Sequence, residues 1–582
     1  MFFTLVKLII GVSKMRNFSR RDFLKLSASA LAVASVSTLL SGCVSNFSRD
    51  ALSKVSFSHG VASGDANQQA VILWTRAIPV QAGVTQVNLA WQLSKDPSFK
   101  QLERSGYVST SAERDFTVKV DVQQLMPDQR YYYRFVAADS DSMTGVTRTL
   151  ATAGMTELKL AVFSCSNYPA GYFNVYREAA RRNDVDAVIH LGDYIYEYAA
   201  DGYATERAVE IGRTLATDNA SEIITLDDYR KRYALYRTDA GLQQLHAAVP
   251  WYLVWDDHEI TNDTWHSGAE NHQPDSEGDF FERRSAAVRA YYEWLPIRPP
   301  MGEDSIQIYR SFNFGELLSL HLLDTRLIAR DQQLAYKNYT DPQTGEFAAA
   351  RYKEDISAER NLLGKAQLGW LTGQLQQSSA KWQLLGQQVL MSKMHIPAEL
   401  LGTRDFSTLP AKLLALEEVK LRVLRTQQQG LEPDAEDLAR VTRLMPYNLD
   451  AWDGYPRERE QLYATARALN KPLLVIAGDT HNAWHSVLTD QHGQQVGVEF
   501  ATPSVSSPGM EKYLKIEQEQ AAEVASAFST LINDLQWCNL HQRGFMLLSV
   551  TVQGVQCNWQ FIDNILTEDY QVVAEHKAVY QA

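Results

Sequence analysis

Short apolar runs that end on polar residues are the most regular pattern along this chain. They lie at residues 160–163, 187–191, 251–255 and 473–477. Runs of this length predict buried strands of a largely parallel sheet. Because ligands gather at the carboxyl ends of such strands, we expect the residues that follow them to lie together. Those residues are of types that bind metal: Cys165, Asp193, Asp257 and Asp479.

Between and after these runs the pattern is helical. Amphipathic stretches occur at 173–182, 226–242 and 280–294, and further strands are predicted at 317–323, 382–391 and 496–500. Alternation of this kind is typical of an α/β domain built on a central sheet. We assign that domain to residues 159–562.

Residues 55–152 have a different pattern, with short runs rich in aromatic and β-branched residues at the spacing of a sandwich. They predict an immunoglobulin-like β-sandwich that covers the next domain and carries no chemistry. Residues 152–158 are interpreted as a linker.

Two later segments interrupt the α/β pattern. Residues 399–460 carry helical spacing with many charges and are interpreted as a surface insertion, with a lid and a solvated hairpin as the alternatives and the hairpin favoured. Residues 544–561 have strand patterning, and the charged tail at 563–582 is expected to be helical.

The N-terminus resembles an export signal. Residues 19–25 match a twin-arginine motif and precede an Ala/Ser-rich apolar run, although a basic amphipathic helix is the alternative. Residues 40–43 resemble a lipobox, so we expect residues 1–43 to be a signal peptide and Cys43 to carry lipid, unless the cysteine is incidental. Met15 would give a more compact signal and is the candidate start. No other run is long enough to span a bilayer.

Composition and charge narrow the class of function. A chain of 582 residues is too large for one small core, so we expect at least two domains. The formal net charge of −13 argues against nucleic acid as the main partner but leaves room for a small phosphate ester near a metal. Four cysteines make no disulfide framework, and Cys538 and Cys557 are expected either to pair or to stay as part-buried thiols.

The candidate ligands fall into two chemical groups. Asp193 and Tyr196 suit a hard trivalent cation, and with Cys165 and His481 they would complete an iron site. Asp257, Asn262 and Asp479 offer only oxygen, which suits calcium, and Asp193 is the natural bridge. Alone, each residue has an ordinary structural explanation; the set is what predicts a centre.

Two ions held in this way bind a phosphoryl oxygen, lower the pKa of a water and align it for attack on phosphorus. His258, next to Asp257, is the candidate to contact the phosphoryl group or to protonate the leaving oxygen. No serine stands out as a nucleophile in the sequence.

These residues lie in motifs that resemble the PhoD-type alkaline phosphatase / phospholipase D family of metallophosphoesterases. The motifs cover nearly all of the chain after the signal and lie at residues 59–65, 73–76, 163–166, 190–197, 255–259, 323–326, 478–481 and 502–509. The long insertion and the lipobox depart from the family pattern.

The resemblance implies a four-layer αββα metallophosphoesterase domain that hydrolyses phosphate esters outside the cytoplasm with Fe3+ and Ca2+. It assigns Cys165, Asp193, Tyr196 and His481 to iron, and Asp193, Asp257, Asn262 and Asp479 to calcium. His258 would contact the substrate phosphate.

Three functions follow as hypotheses. The first is a periplasmic or extracellular alkaline phosphatase, which meets the twin-arginine translocation machinery during export. The second is a phosphodiesterase or phospholipase D acting on lipid headgroups or polymers, which a lipid at Cys43 would favour. The third is a non-catalytic surface lipoprotein, disfavoured because such ligand clusters cost stability without a metal.

Overall fold

The structure, a computed structural model, describes residues 48–302, 305–403 and 405–581. The predicted signal at 1–43, with Met15 and the lipidation of Cys43, lies outside the described residues. Within these ranges, no helix is both long enough and apolar enough to cross a membrane.

The described residues form twenty-four strands and twelve α-helices, with short 3-10 helices in several turns. The strands are β1 (Val55–Ser56), β2 (Val61–Gly64), β3 (Val71–Arg76), β4 (Ile78–Pro79), β5 (Gln86–Ser94), β6 (Arg104–Ser111), β7 (Thr117–Val122), β8 (Arg130–Val136), β9 (Gly145–Arg148), β10 (Glu157–Phe163), β11 (Ala187–His190), β12 (Trp251–Leu253), β13 (Arg310–Phe314), β14 (Leu318–Leu322), β15 (Trp382–Gly386), β16 (His395–Pro397), β17 (Leu444–Pro446), β18 (Leu473–Ala477), β19 (Ala483–Thr489), β20 (Gln495–Ala501), β21 (Leu535–Asn539), β22 (Arg543–Thr551), β23 (Val555–Ile562) and β24 (Val572–Tyr580). The helices are α1 (Asn174–Ala180), α2 (Leu226–Tyr236), α3 (Ala240–Ala248), α4 (Pro274–Glu277), α5 (Phe280–Trp294), α6 (Ala349–Ile356), α7 (Gly364–Gln377), α8 (Leu409–Gln428), α9 (Ala435–Thr442), α10 (Pro456–Ala468), α11 (Met510–Leu514) and α12 (Gln518–Leu531).

Two large mixed sheets organise the chain. The nine-stranded sheet has the order β24-β23-β22-β10-β11-β12-β2-β3-β7, and the seven-stranded sheet has the order β13-β14-β15-β18-β20-β19-β21. Strands β10, β11 and β12 are parallel in the first sheet, and β14, β15, β18 and β20 are parallel in the second. Each parallel block is where the apolar runs predicted buried strands.

Alternation along β18 shows why these strands are apolar throughout. Leu474 and Ile476 join the core that the two sheets share, whereas Leu473, Val475 and Ala477 join the core beneath α7, α8, α10 and α12. Successive side chains of a strand point to opposite faces, so a strand covered on both faces is apolar at every position.

The N-terminal region contributes to three sheets, the smallest of which pairs β1 with β4. Strands β5, β6, β8 and β9 form a separate four-stranded sheet, as expected for part of a β domain. Strands β2, β3 and β7 instead continue the nine-stranded sheet, because β2 pairs with β12 through Gly64 and Trp251.

Two predictions about the later segments are wrong. The insertion is not a solvated hairpin: α8 buries Leu413, Leu416 and Val419 in the core that α12 also lines. The tail after Ile562 is not a helix, because β24 pairs antiparallel with β23. In addition, the strand predicted at 382–391 ends at Gly386.

Candidate metal centre

The predicted ligands follow strand ends in a strained backbone conformation. Cys165, Asp193, Asp479 and His481 have φ values of 61°, 55°, 63° and 63°. Residues other than glycine rarely adopt this left-handed conformation, and it persists only where the surroundings hold it in place. Four such residues follow β10, β11 and β18, and a cluster of strained residues is typical of a functional site.

Gly192 allows two of the loops to come together. It has φ +109°, and a Cβ built there would lie 2.3 Å from the backbone nitrogen of Asp256. Only glycine permits this approach, which brings the loop after β11 against the loop after β12.

The first ligand group is the one predicted for iron. The ligand atoms of Cys165, Asp193 and His481 lie within 4.8 Å of one another, and all three residues are buried. The hydroxyl of Tyr196 is 3.2 Å from Asp193 Oδ2 and 3.2 Å from His481 Nε2. Asp193 Oδ1 is buried and has no hydrogen-bond partner. A buried carboxylate oxygen without a partner, facing S, N and O donors, fits a cation.

The tautomer of His481 supports the same conclusion. Its Nδ1 lies 2.7 Å from the carbonyl oxygen of Pro508, which can only accept a hydrogen bond. Nδ1 therefore carries the proton, and the lone pair of Nε2 faces Asp193 and Tyr196. Burial lowers the pKa of His481 to about 3, so the ring is neutral and ready to bind metal.

Without a cation, the surroundings raise the pKa values of the acidic members of this group. Burial, and then the charge of Asp193, raises the pKa values of Cys165 and Tyr196 well above their usual range. Burial also raises the pKa of Asp193, although His258 opposes the shift. A cation would reverse this order, since thiolate, phenolate and carboxylate are its ligands.

The second group offers oxygen. Ligand atoms of Asp256, Asp257 and Asp479 lie within 4.8 Å of one another, and so do those of Asp193, Asp257 and His258. Asp193 therefore lies in both groups, where the sequence predicted the bridge. The side-chain nitrogen of Asn262 donates to Glu270 Oε2 at 3.3 Å, a contact that leaves Asn262 Oδ1 available.

A buried arginine compensates the second group. Arg326 donates to Asp256 Oδ1 at 2.5 Å and to Asp479 Oδ1 at 2.7 Å, and it contacts both carboxylate oxygens of Asp450 at 3.0 Å. Burial opposes ionisation of Asp257, but Arg326 and His258 lower its pKa to about 2. Asp256 Oδ2 has no hydrogen-bond partner and is buried, so the group keeps a free oxygen.

His258 is held by Glu197. The two side chains meet at 2.7 Å between Nδ1 and Oε2, and both are buried. Glu197 Oε1 accepts from the backbone N–H of Asn262 at 2.8 Å and from Asn271 Nδ2 at 2.9 Å. Glu197 thus fixes the ring so that Nε2 is the nitrogen left for other partners.

Several residues of the site were missed as functional candidates. Asp256 stands next to Asp257 in the sequence, and Glu197 and Arg326 lie in the family motifs, but no functional role was predicted for any of the three. Glu259 accepts the backbone N–H groups of Asp193, Tyr194 and Asp256 and so ties the two loops together. Burial raises the pKa of Glu259 to about 8. Asp450 lies inside the insertion, where no sequence motif indicates a functional role for it.

The comparisons with known proteins agree with one another. The sequence model of the family described as PhoD-like phosphatase matches residues 160–559, and that of the PhoD-like phosphatase N-terminal domain matches residues 42–151. Alkaline phosphatase D of Bacillus subtilis (strain 168) is 33% identical over 511 residues, which cover 84% of this chain and 77% of that protein. A solved structure described as the structure of PhoD matches with a TM-score of 0.71 and 30% identity, over 92% of this chain and 91% of that one.

Proposed function

This chain belongs to the PhoD-like phosphatase family and is a phosphoric ester hydrolase, and from that premise we propose a metal-dependent enzyme that releases phosphate from organic esters outside the cytoplasm. The observation that supports metal dependence most strongly is the convergence of Cys165, Asp193, Tyr196 and His481 around the unpartnered Asp193 Oδ1.

The proposed ligands divide as the resemblance implied. Cys165, Asp193, Tyr196 and His481 would hold Fe3+, and Asp193, Asp257 and Asp479 would hold Ca2+; Asp256 is added because its ligand atom lies with those of Asp257 and Asp479. Asn262 is also proposed as a calcium ligand, through Oδ1, since its contact with Glu270 uses the amide nitrogen. When bound, this pair supplies Lewis-acid chemistry that lowers the pKa of a water and orients it for in-line attack on phosphorus.

The protein's own groups perform the remaining tasks. His258, fixed by Glu197, offers Nε2 to the phosphoryl oxygens or to the leaving oxygen. Arg326 donates to Asp256, Asp479 and Asp450, so it holds these carboxylates in position. Asp193 acts on both sides of the centre.

The proposal includes the export route of the enzyme and its cellular location. We propose export by the twin-arginine machinery, cleavage before Cys43 and a lipid on that cysteine, which would hold the enzyme at a periplasmic or extracellular surface. The supporting observation is the motif at 19–25 with the lipobox at 40–43.

The finer architecture is also proposed. Residues 55–152 would be an immunoglobulin-like sandwich, and residues 159–562 would be a four-layer αββα domain with 563–582 as its tail. The shared core of the two large sheets and the helices beneath the seven-stranded sheet support this arrangement.

The test is hydrolysis of p-nitrophenyl phosphate and bis-p-nitrophenyl phosphate by the purified protein, before and after chelation and after return of iron and calcium. We expect chelation to abolish turnover and the two metals to restore it, and the ratio of the two rates decides between monoesterase and diesterase. Asp193→Asn should lose both activities; full turnover by this variant would contradict the proposed centre.

A further inference from the structure

We propose that a cavity of about 610 Å3 beside the metal centre binds the organic group of the ester, and that this group is a bulky, uncharged, partly apolar alcohol. The inference rests on the proposed function, since it places the phosphate of the same substrate at the metal centre. Cavities of roughly 300 to 1,000 Å3 are the usual size for small organic ligands.

Strand order places the cavity next to the centre. Its lining includes Arg543, the first residue of β22, and Ile562, the last residue of β23, which are paired across the two strands. Strand β22 borders β10, which leads into Cys165. Neighbouring strands lie about 4.8 Å apart, so the cavity begins roughly 5 to 10 Å from the strand that carries Cys165. One substrate molecule can span that distance.

The cavity and the centre share one loop. Ser506 and Pro508 line the cavity. Pro508 also accepts the hydrogen bond of His481 Nδ1, and its carbonyl accepts a second one from the hydroxyl of Tyr203 at 3.1 Å. Ser506 donates its N–H to the carbonyl of Cys165 at 3.4 Å. The loop at Ser506 and Pro508 therefore lines the cavity and contacts two of the proposed ligands, Cys165 and His481.

The lining explains the class of alcohol. The lining has an apolar part, formed by Ile562, Ile565, Leu566 and Val573. Two of its charged residues already have partners: Lys512 pairs with Glu206 at 2.5 Å, and Arg543 pairs with Glu511. Because these charges are compensated within the protein, the cavity favours an uncharged group that buries apolar surface and contacts polar atoms at its edge.

Val573 and Gln518 allow the cavity to be filled without disturbing the centre. Val573 is 47% exposed and lies where the register of β23 and β24 shifts, and Gln518 is exposed at the start of α12. Both line the cavity. The matched controls are Val579, 61% exposed on the same strand, and Glu519, the next residue of the same helix; neither lines it.

The experiment compares release of phosphate from 1-naphthyl phosphate and from ethyl phosphate by the iron- and calcium-loaded protein. Val573→Trp and Gln518→Trp should lower kcat/KM for the naphthyl ester by about tenfold, the size of a typical apolar-pocket effect, and leave the ethyl ester within about twofold. Val579→Trp and Glu519→Trp should change neither. Equal losses on both esters, or no loss on the naphthyl ester, would overturn the proposal.

A binding measurement separates this proposal from the proposed function. Fluorescence titration with 1-naphthol should show binding to the wild-type protein that weakens about tenfold in Val573→Trp. Failure of 1-naphthol to bind would overturn the cavity as a site for such alcohols while esters are still hydrolysed. Binding of 1-naphthol without hydrolysis of either ester would instead overturn the function, and with it the role of the cavity in catalysis.

Discussion

Replacing Glu197 by glutamine tests how the protein holds the imidazole of His258. Both carboxylate oxygens face hydrogen-bond donors: Oε2 accepts from His258 Nδ1, and Oε1 accepts from Asn262 N–H and Asn271 Nδ2. Glutamine has the same shape, but its amide group is a donor. In either orientation that group faces an atom that donates in the wild-type protein, so the variant either loses one of these contacts or turns His258 to the tautomer in which Nδ1 accepts.

We expect the contact with His258 to be the one changed, because the other oxygen accepts from three donors, the third being Thr261 Oγ1 at 3.3 Å. A hydrogen bond to a charged group contributes about 1.5 to 3 kcal/mol. At about 1.4 kcal/mol for each factor of ten, Glu197→Gln should lower kcat/KM by roughly 10- to 150-fold if the contact orients His258 for the transition state.

The assay is steady-state hydrolysis of p-nitrophenyl phosphate, with the metal content and the thermal unfolding of each variant measured in parallel. Asn271→Ala is the matched control, because it removes the 2.9 Å contact to Glu197 Oε1 and leaves the ring contact in place. An unchanged kcat/KM in Glu197→Gln with full metal content, or an equal loss in Asn271→Ala, would refute the reasoning.

Three further predictions concern the centre and the fold. Because burial and Asp193 keep Cys165 and Tyr196 protonated, the pKa values of these two residues must fall when iron binds, so binding should release protons and tighten as pH rises. Titration calorimetry of iron binding in buffers of different ionisation enthalpy should therefore give different heats. Equal heats would contradict this prediction. Tyr196→Phe should abolish a visible phenolate-to-iron absorption band, and an unchanged spectrum would remove Tyr196 from the ligands. Glu458 accepts three backbone N–H groups at the start of α7, at 2.6, 2.8 and 2.9 Å. Glu458→Ala should therefore lower the free energy of unfolding in denaturant titrations by about 2 to 4 kcal/mol, whereas Gln461→Ala, at an exposed position, should lower it by less than about 0.5 kcal/mol. Similar values for the two variants would contradict the stabilising role of Glu458 at this helix start.

The convergence of most of the proposed ligands was predictable because their positions are encoded locally. A buried strand is apolar at every position, and the chain turns where the apolar run stops, so Cys165, Asp193 and Asp479 mark their strand ends without any knowledge of the partners. Parallel neighbours then bring those ends to one edge of the sheets. His481 lies only two positions after Asp479 in the sequence, so it is brought to the same edge.

The supporting residues were not predictable in this way. Glu197 meets His258 across 61 positions, and Arg326 meets Asp450 across 124. Nothing in the local pattern around Asp450 distinguishes it from a charge on a solvated insertion. Such pairs depend on how loops from different sheets meet, which only the folded structure shows.

For the C-terminal tail, the charged composition led to a wrong prediction of secondary structure. Glu575, His576 and Lys577 suggested a charged helix, but the backbone hydrogen bonds offered by the open edge of β23 decide the conformation. Charged side chains are common on edge strands, where they discourage further pairing. The charge was therefore a property of the edge and not of a helix.

The two ligand groups differ in how their charge is compensated, and this difference bears on metal loading. Arg326 already pairs with Asp256 and Asp479, so the oxygen group is partly neutralised by the protein itself. Among the described residues, Asp193 forms no ion pair with lysine or arginine; burial raises its pKa, and His258 opposes that shift. Because an uncompensated buried anion is costly, the iron side should gain more from its metal than the calcium side. Loss of iron should therefore weaken the folded centre more than loss of calcium.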